Sequence, residues 1–103
     1  MTVLSSKDPV ERVVVTFDYT PALFGSEVCI RVESITVEVV GGVDPDPQAI
    51  IAGEPKITDD GFYVQLPVQG GLDNVNYNIK ALCQTSNPDK LINVSAILPV
   101  RKE

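Results

Sequence analysis

The sequence predicts an all-β fold, an antiparallel β-sandwich of six to seven strands. Three observations predict it. Apolar and polar side chains alternate along several runs with the two-residue period of a half-buried strand. β-Branched residues crowd those runs, and Gly, Pro, Asn and Asp separate them at spacings of roughly ten to fifteen residues. No stretch carries a convincing helical period. A small barrel is the alternative closure of the same strands.

The chain has 103 residues, one domain's worth. It reads as an N-terminal arm over 1–9, a single β-sandwich domain over 10–100 and a charged tail over 101–103. A chain of this size buries roughly two thirds of its extended surface, enough for one core. Hydrophobic residues make up 44% of it, and it has no Trp and no His. Without His it lacks the commonest general base and the commonest metal ligand. Two cysteines alone cannot close a zinc site. A net charge of −6 disfavours nucleic acid and an anionic membrane surface as partners. No run is apolar for long enough to span a bilayer. The opening MTVLSSKDPVERV lacks the basic and then apolar pattern of a secretory signal. The chain is therefore expected to fold and stay in a cytoplasm.

In order, Met1–Lys7 is a polar lead-in, either frayed or ordered against a neighbouring subunit. Lys7-Asp8-Pro9 punctuates it. Val10–Tyr19 alternates, with Val13, Val15, Phe17 and Tyr19 inward and Arg12, Val14, Thr16 and Asp18 outward. Pro21 ends or kinks that strand, and Gly25-Ser26 turns. Val28–Val40 is the longest β-rich run. Val28, Ile30 and Val32 share one phase, and Ile35, Val37 and Val39 share the other. A one-residue slip would reverse every side chain. The phase change near Glu33–Ser34 therefore predicts a β-bulge, or a strand that crosses between sheets.

Gly41–Pro47, with two glycines and two prolines, is a loop. Gln48–Ala52 reads as a short edge strand. Asp59-Asp60-Gly61 is a tight turn. It opens the best-patterned stretch, Gly61–Leu82. There Phe62, Val64, Leu66 and Val68 face inward. Pro67 predicts an edge or a strand end. Gly70-Gly71 bends the chain in positive φ. Tyr77, Ile79, Ala81 and Cys83 then face inward. Thr85–Lys90 is a hairpin loop. The last strand turns Ile92, Val94, Ala96, Leu98 and Val100 to the core.

Candidate chemistry is thin. Tyr77 at the head of its strand is similar to the tyrosine corner of immunoglobulin-like domains, whose hydroxyl reaches a backbone group a few residues upstream. An ordinary core tyrosine is the alternative. Cys29 and Cys83 invite an immunoglobulin-type disulfide. That pattern, however, puts the second cysteine two residues after the tyrosine, where Ile79 stands. Buried free thiols are expected in a reducing compartment. Asp44/Asp46 and Asp59/Asp60 are acidic pairs without EF-hand spacing, and Asp in turns commonly serves turn geometry. Gly70-Gly71 lacks the Lys-Ser/Thr of a phosphate loop. A carboxylate pair for glycoside hydrolysis would need an aromatic-lined cleft, which six aromatics cannot line and also fill a core. No catalytic, cofactor-binding or metal residue is assigned, and no enzyme activity is expected.

Several landmarks are carried by Lys7-Asp8-Pro9, Asp18-Tyr19, Ala22-Leu23-Phe24-Gly25, Val68-Gln69-Gly70-Gly71…Tyr77, and Leu98, Val100 and Arg101. Together they resemble the small fiber–tail adaptor proteins of tailed bacteriophages, immunoglobulin-like virion proteins of about this length. The family's usual tryptophan after the first strand is absent, and Gln84–Pro88 replaces its T-x-x-G-R segment. The resemblance implies an immunoglobulin-like sandwich. It also implies a non-enzymatic structural role in the virion, bridging tail or neck and fiber components in several copies after assembly in the host bacterial cytoplasm. A capsid decoration or cement protein is one alternative. Another is a carbohydrate-binding or adhesion module, for which Tyr63 is the aromatic expected to point outward. Expected contacts are the arm Met1–Lys7, the loop Gly41–Pro47, the apolar residues of Ile35–Val39 if that segment changes face, and the tail Arg101–Glu103.

Overall fold

The computed structural model describes residues 2–102. Met1 and Glu103, the ends of the expected arm and tail, lie outside the described residues. The fold is all-β. Strands β1 (Thr2–Val3), β2 (Arg12–Asp18), β3 (Cys29–Gly41), β4 (Lys56–Ile57), β5 (Tyr63–Gln69), β6 (Val75–Thr85) and β7 (Leu91–Val100) form two sheets. One has the order β1-β7-β6-β3, and the other β2-β5-β4. All pairs are antiparallel except β1 with β7, which is parallel.

Both sheets turn their apolar faces into one core. Val15, Phe17, Val64, Leu66 and Val68 come from one sheet. Val37, Tyr77, Ile79, Ala81, Cys83, Ala96, Leu98 and Val100 come from the other. β2, β5, β6 and β7 hold the expected phase because strict alternation leaves only one way to bury an apolar face. Each fully buried aliphatic or aromatic side chain here contributes about 1.5–3 kcal/mol.

The expected bulge in β3 is present. Val32 opposes Cys83 and Ser34 opposes Leu82, so Glu33 is the extra residue. β3 stays in one sheet and does not cross. Two further bulges, at Ile30 and Val40, interrupt the same ladder. Each throws its side chain out, which leaves Ile30 and Val40 exposed. The shared phase expected for Val28, Ile30 and Val32 is thereby corrected: Cys29 is buried in place of Ile30. Ile35, Val37 and Val39 stand opposite Ala81, Ile79 and Tyr77 and pack on the core. Val37 is buried, and Ile35 and Val39 are half-buried.

Other expectations are corrected too. Gln48–Ala52 forms no edge strand. Pro47–Ile50 is a 3-10 turn, and the short strand next to β5 is β4. Phe62 falls in the turn before β5 and is exposed. Pro67 lies in the central strand of its sheet, yet the position is effectively an edge. On the side where its missing N–H would point, β4 pairs only with Val64 and Gln65 and stops short of Pro67, whose carbonyl accepts the Ala52 N–H at 2.9 Å. The lead-in runs along β7. Leu4 donates its N–H to Ile97, Lys7 to Pro99, and Arg101 to the Lys7 carbonyl, at 2.8–2.9 Å.

Candidate interaction surfaces

At one end of the molecule the lead-in, the Gly70-Gly71 bend and the head of β6 converge. Lys7 is buried, and its Nζ donates to the Gly70 carbonyl at 2.7 Å and to the Asp8 carbonyl at 2.8 Å. Burial pulls its pKa below the ordinary lysine value, against the opposing pull of Glu11 and Asp8. The ammonium thus ties the lead-in to the bend. Asp8 turns the chain that follows: its Oδ1 accepts the Val10 N–H at 3.0 Å.

Tyr77 is fully buried, and its hydroxyl makes the expected upstream link. It accepts the Leu72 N–H at 2.9 Å and donates to Asp44 Oδ2 at 2.6 Å. Burial, followed by the Asp44 contact, pushes its pKa up to about 12. Asp44 was the unforeseen partner. Its other oxygen accepts the Asp46 N–H at 2.9 Å, so this carboxylate organises the loop 41–47 over the end of the core. Asp60 does the same in its own turn. It accepts from Thr58 Oγ1 at 2.6 Å and the Phe62 N–H at 3.0 Å, and these bonds hold its pKa below the usual range. Among the described residues, no three His, Cys, Asp or Glu side chains cluster as metal ligands would.

Around this end Val10 and Val43 are 91% and 81% exposed, and Leu72 is also exposed. Val10, Arg12, Asp44, Asp46 and Leu72 border an open cleft of about 460 Å³. Arg101 and Lys102 of the charged tail are held down. Arg101 Nη2 donates to Asn76 Oδ1 at 2.7 Å, and the Lys102 N–H to Asp73 Oδ1 at 2.8 Å.

Cys29 and Cys83 are unpaired and buried on neighbouring strands of one sheet. Burial pushes the Cys29 thiol up to about 11, and raises Cys83 as well. Thiols held protonated in this way are inert as nucleophiles. Tyr19 Oη donates to the Ala81 carbonyl at 2.6 Å, bridging the two sheets beside them. Burial raises the Tyr19 pKa strongly.

The opposite end carries Phe24, the most exposed aromatic at 71%. Lys90 Nζ lies 4.5 Å from the centre of its ring, 2.7 Å from Glu27 Oε1 and 2.6 Å from the Ala22 carbonyl. Lys90, with help from the Phe24 N–H, holds the Glu27 pKa below the usual carboxylate range. Tyr63, the ring expected to point outward, is half-buried. Sequence reasoning missed Phe24, whose only signal is its place before Gly25 in a turn.

A scan against protein-family models, a search of curated proteins and a search of solved structures each return no match.

Proposed function

We propose that this chain is a non-enzymatic structural protein of a tailed-phage virion, an immunoglobulin-like domain that bridges tail or neck and fiber components through surface contacts. The strand order supports the immunoglobulin-like part. Lettered B to G in chain order, β2 to β7 divide into B-E-D and G-F-C, the division of such domains. Tyr77 stands near the start of the F position, bonded to a backbone group at the preceding corner.

One observation carries the reading. Two landmarks of the resemblance, Lys7-Asp8-Pro9 and Gly70-Gly71…Tyr77, are far apart in the sequence and physically joined. Lys7 bonds Gly70, and the bend after Gly70 leads to Leu72, whose amide bonds Tyr77. A spacing of residues that looked like a family signature is one interlocked corner. The groups found so far are spent on the fold itself: buried thiols, turn carboxylates and tyrosine hydroxyls with internal partners. What is left for function is the surface.

Gold-labelled antibody on purified particles tests the proposal. Label at the tail or neck in symmetric copies is the expected result. Protein absent from purified particles overturns the reading, and label spread over the head favours the cement alternative.

A further inference from the structure

We propose that the outer edge of β2 accepts an added strand from another protein. The idea deepens the adaptor reading and rests on it for the partner's identity. β2 ends its sheet, and among the described residues no strand lies beyond it. In an antiparallel ladder, successive residues aim their N–H and C=O groups at opposite neighbours. Tyr19 donates its N–H to the Phe62 carbonyl at 3.0 Å, in register with the β2–β5 pairing. The odd-numbered residues of β2 therefore serve β5, and Arg12, Val14, Thr16 and Asp18 aim their main-chain groups outward.

Natural edges are commonly blunted by lysine, proline or a bulge. Between Arg12 and Asp18 this edge reads Val-Val-Val-Thr-Phe, pairs with β5 without a register shift, and leaves Val14 61% exposed. The edge is built to pair.

The seam beside it is hollow. A cleft of about 370 Å³ lies between residues 13–16 of β2 and the lead-in with Leu98. Two more, of about 270 and 290 Å³, continue the seam between residues 16–22 and residues 92–96 of β7. Among the described residues the lead-in pairs with β7 only from Ala96 onward, and no described strand covers the rest of that side.

An added strand needs inner side chains free to enter this seam. A second copy cannot supply them through its own β2, whose Val15 and Phe17 are already buried in its core. The occupant is a single extended segment of a different protein. Its alternate side chains are small and apolar toward the seam, and polar or basic toward water. Main-chain bonds supply affinity and the clefts select the side chains. The net charge of −6 favours a neutral or cationic segment.

The probe is a short capped peptide of alternating valine and lysine, added to isotope-labelled protein. Amide exchange is read by NMR. Exchange at Val14 and Thr16 should slow by roughly tenfold or more, while Val13 and Val15, already in the β5 ladder, stay unchanged. V14P removes one outward donor and should abolish the protection at Thr16. A spin label on the peptide, read in the unaltered protein, should broaden the Val14 and Thr16 signals, and this arm needs no variant to fold. No slowing at Val14 and Thr16, or broadening centred elsewhere, overturns the proposal. The measurement uses purified protein, so it stands or falls separately from the gold-labelling result.

Discussion

Tyr77 shows how one hydroxyl specifies a corner. Y77F keeps the ring in the core but leaves the Leu72 amide and the Asp44 carboxylate without their partner. Leaving such groups unpaired costs about 1–3 kcal/mol, to be read from urea unfolding. The same hydroxyl sets a pH dependence. Its folded pKa, raised from 10.0 to about 12, means that the native state holds its proton longer than the unfolded chain does. That stability is fully present below the unfolded value and is lost as pH rises through the folded one. The melting temperature should fall between these two values, and Y77F should fall less steeply. Tyr19, shifted in the same direction, adds to the decline.

The two glycines of the bend are not equivalent. Gly70 has φ +68 with open space around a notional Cβ, so G70A should cost only about 1 kcal/mol in backbone strain. Gly71 has φ +89, and its Cβ would meet Val100 Cγ2 at 2.9 Å, so G71A adds a core clash to the strain. Its expected cost is about 2–4 kcal/mol by the same unfolding assay. The sequence marks both as glycines in a bend. The difference between them depends on Val100, far along the chain from Gly71, and no local pattern shows it.

At the scale of elements, β3 carries the clearest lesson. The bulge at Glu33 was legible because apolar residues change phase across it. The bulges at Ile30 and Val40 were not, since a β-branched residue fits either face of a strand and leaves the pattern unbroken. Gln48–Ala52 misled in the same way, as a short apolar run has no period to tell strand from turn. The pairing of the lead-in with β7 is a contact between the chain's two ends, held by a buried lysine that composition marks as a surface residue.

Three variants test these elements. K7M removes the charged donor to Gly70 and should cost about 1.5–3 kcal/mol, with faster amide exchange at Leu4 and Lys7. Equal exchange in both proteins would show that the lead-in holds without the clasp. Deleting Glu33 removes the bulge: Val32, Ser34 and Ile35 then alternate without a break opposite Cys83, Leu82 and Ala81, and Ile35, Val37 and Val39 keep their inward face. The deletion should leave the domain folded at room temperature, at a cost of about 1–3 kcal/mol for the lost bend, whereas E33A should change stability by less than about 0.5 kcal/mol. Circular dichroism and thermal melting separate the two.

For the molecule as a whole, the fold class was readable because alternation and turn chemistry agree along most of the chain. The candidate sites were readable mainly as absences, since the sequence shows Asp44, Asp60 and the cysteines but not what they touch. The structure gives each of them an internal occupation: a corner, a turn and the buried core. Exposed Val10, Val43 and Phe24 and the open edge of β2 lie at the two ends and along one side. That distribution suits a body held between other proteins more than one with a single cleft.

The central claim is that the chain joins fibers to a phage tail or neck. Negative-stain images of particles assembled without it are the most direct test. The account predicts intact heads and tails that lack fibers, restored when the protein is supplied. Fully fibered particles in its absence would contradict it.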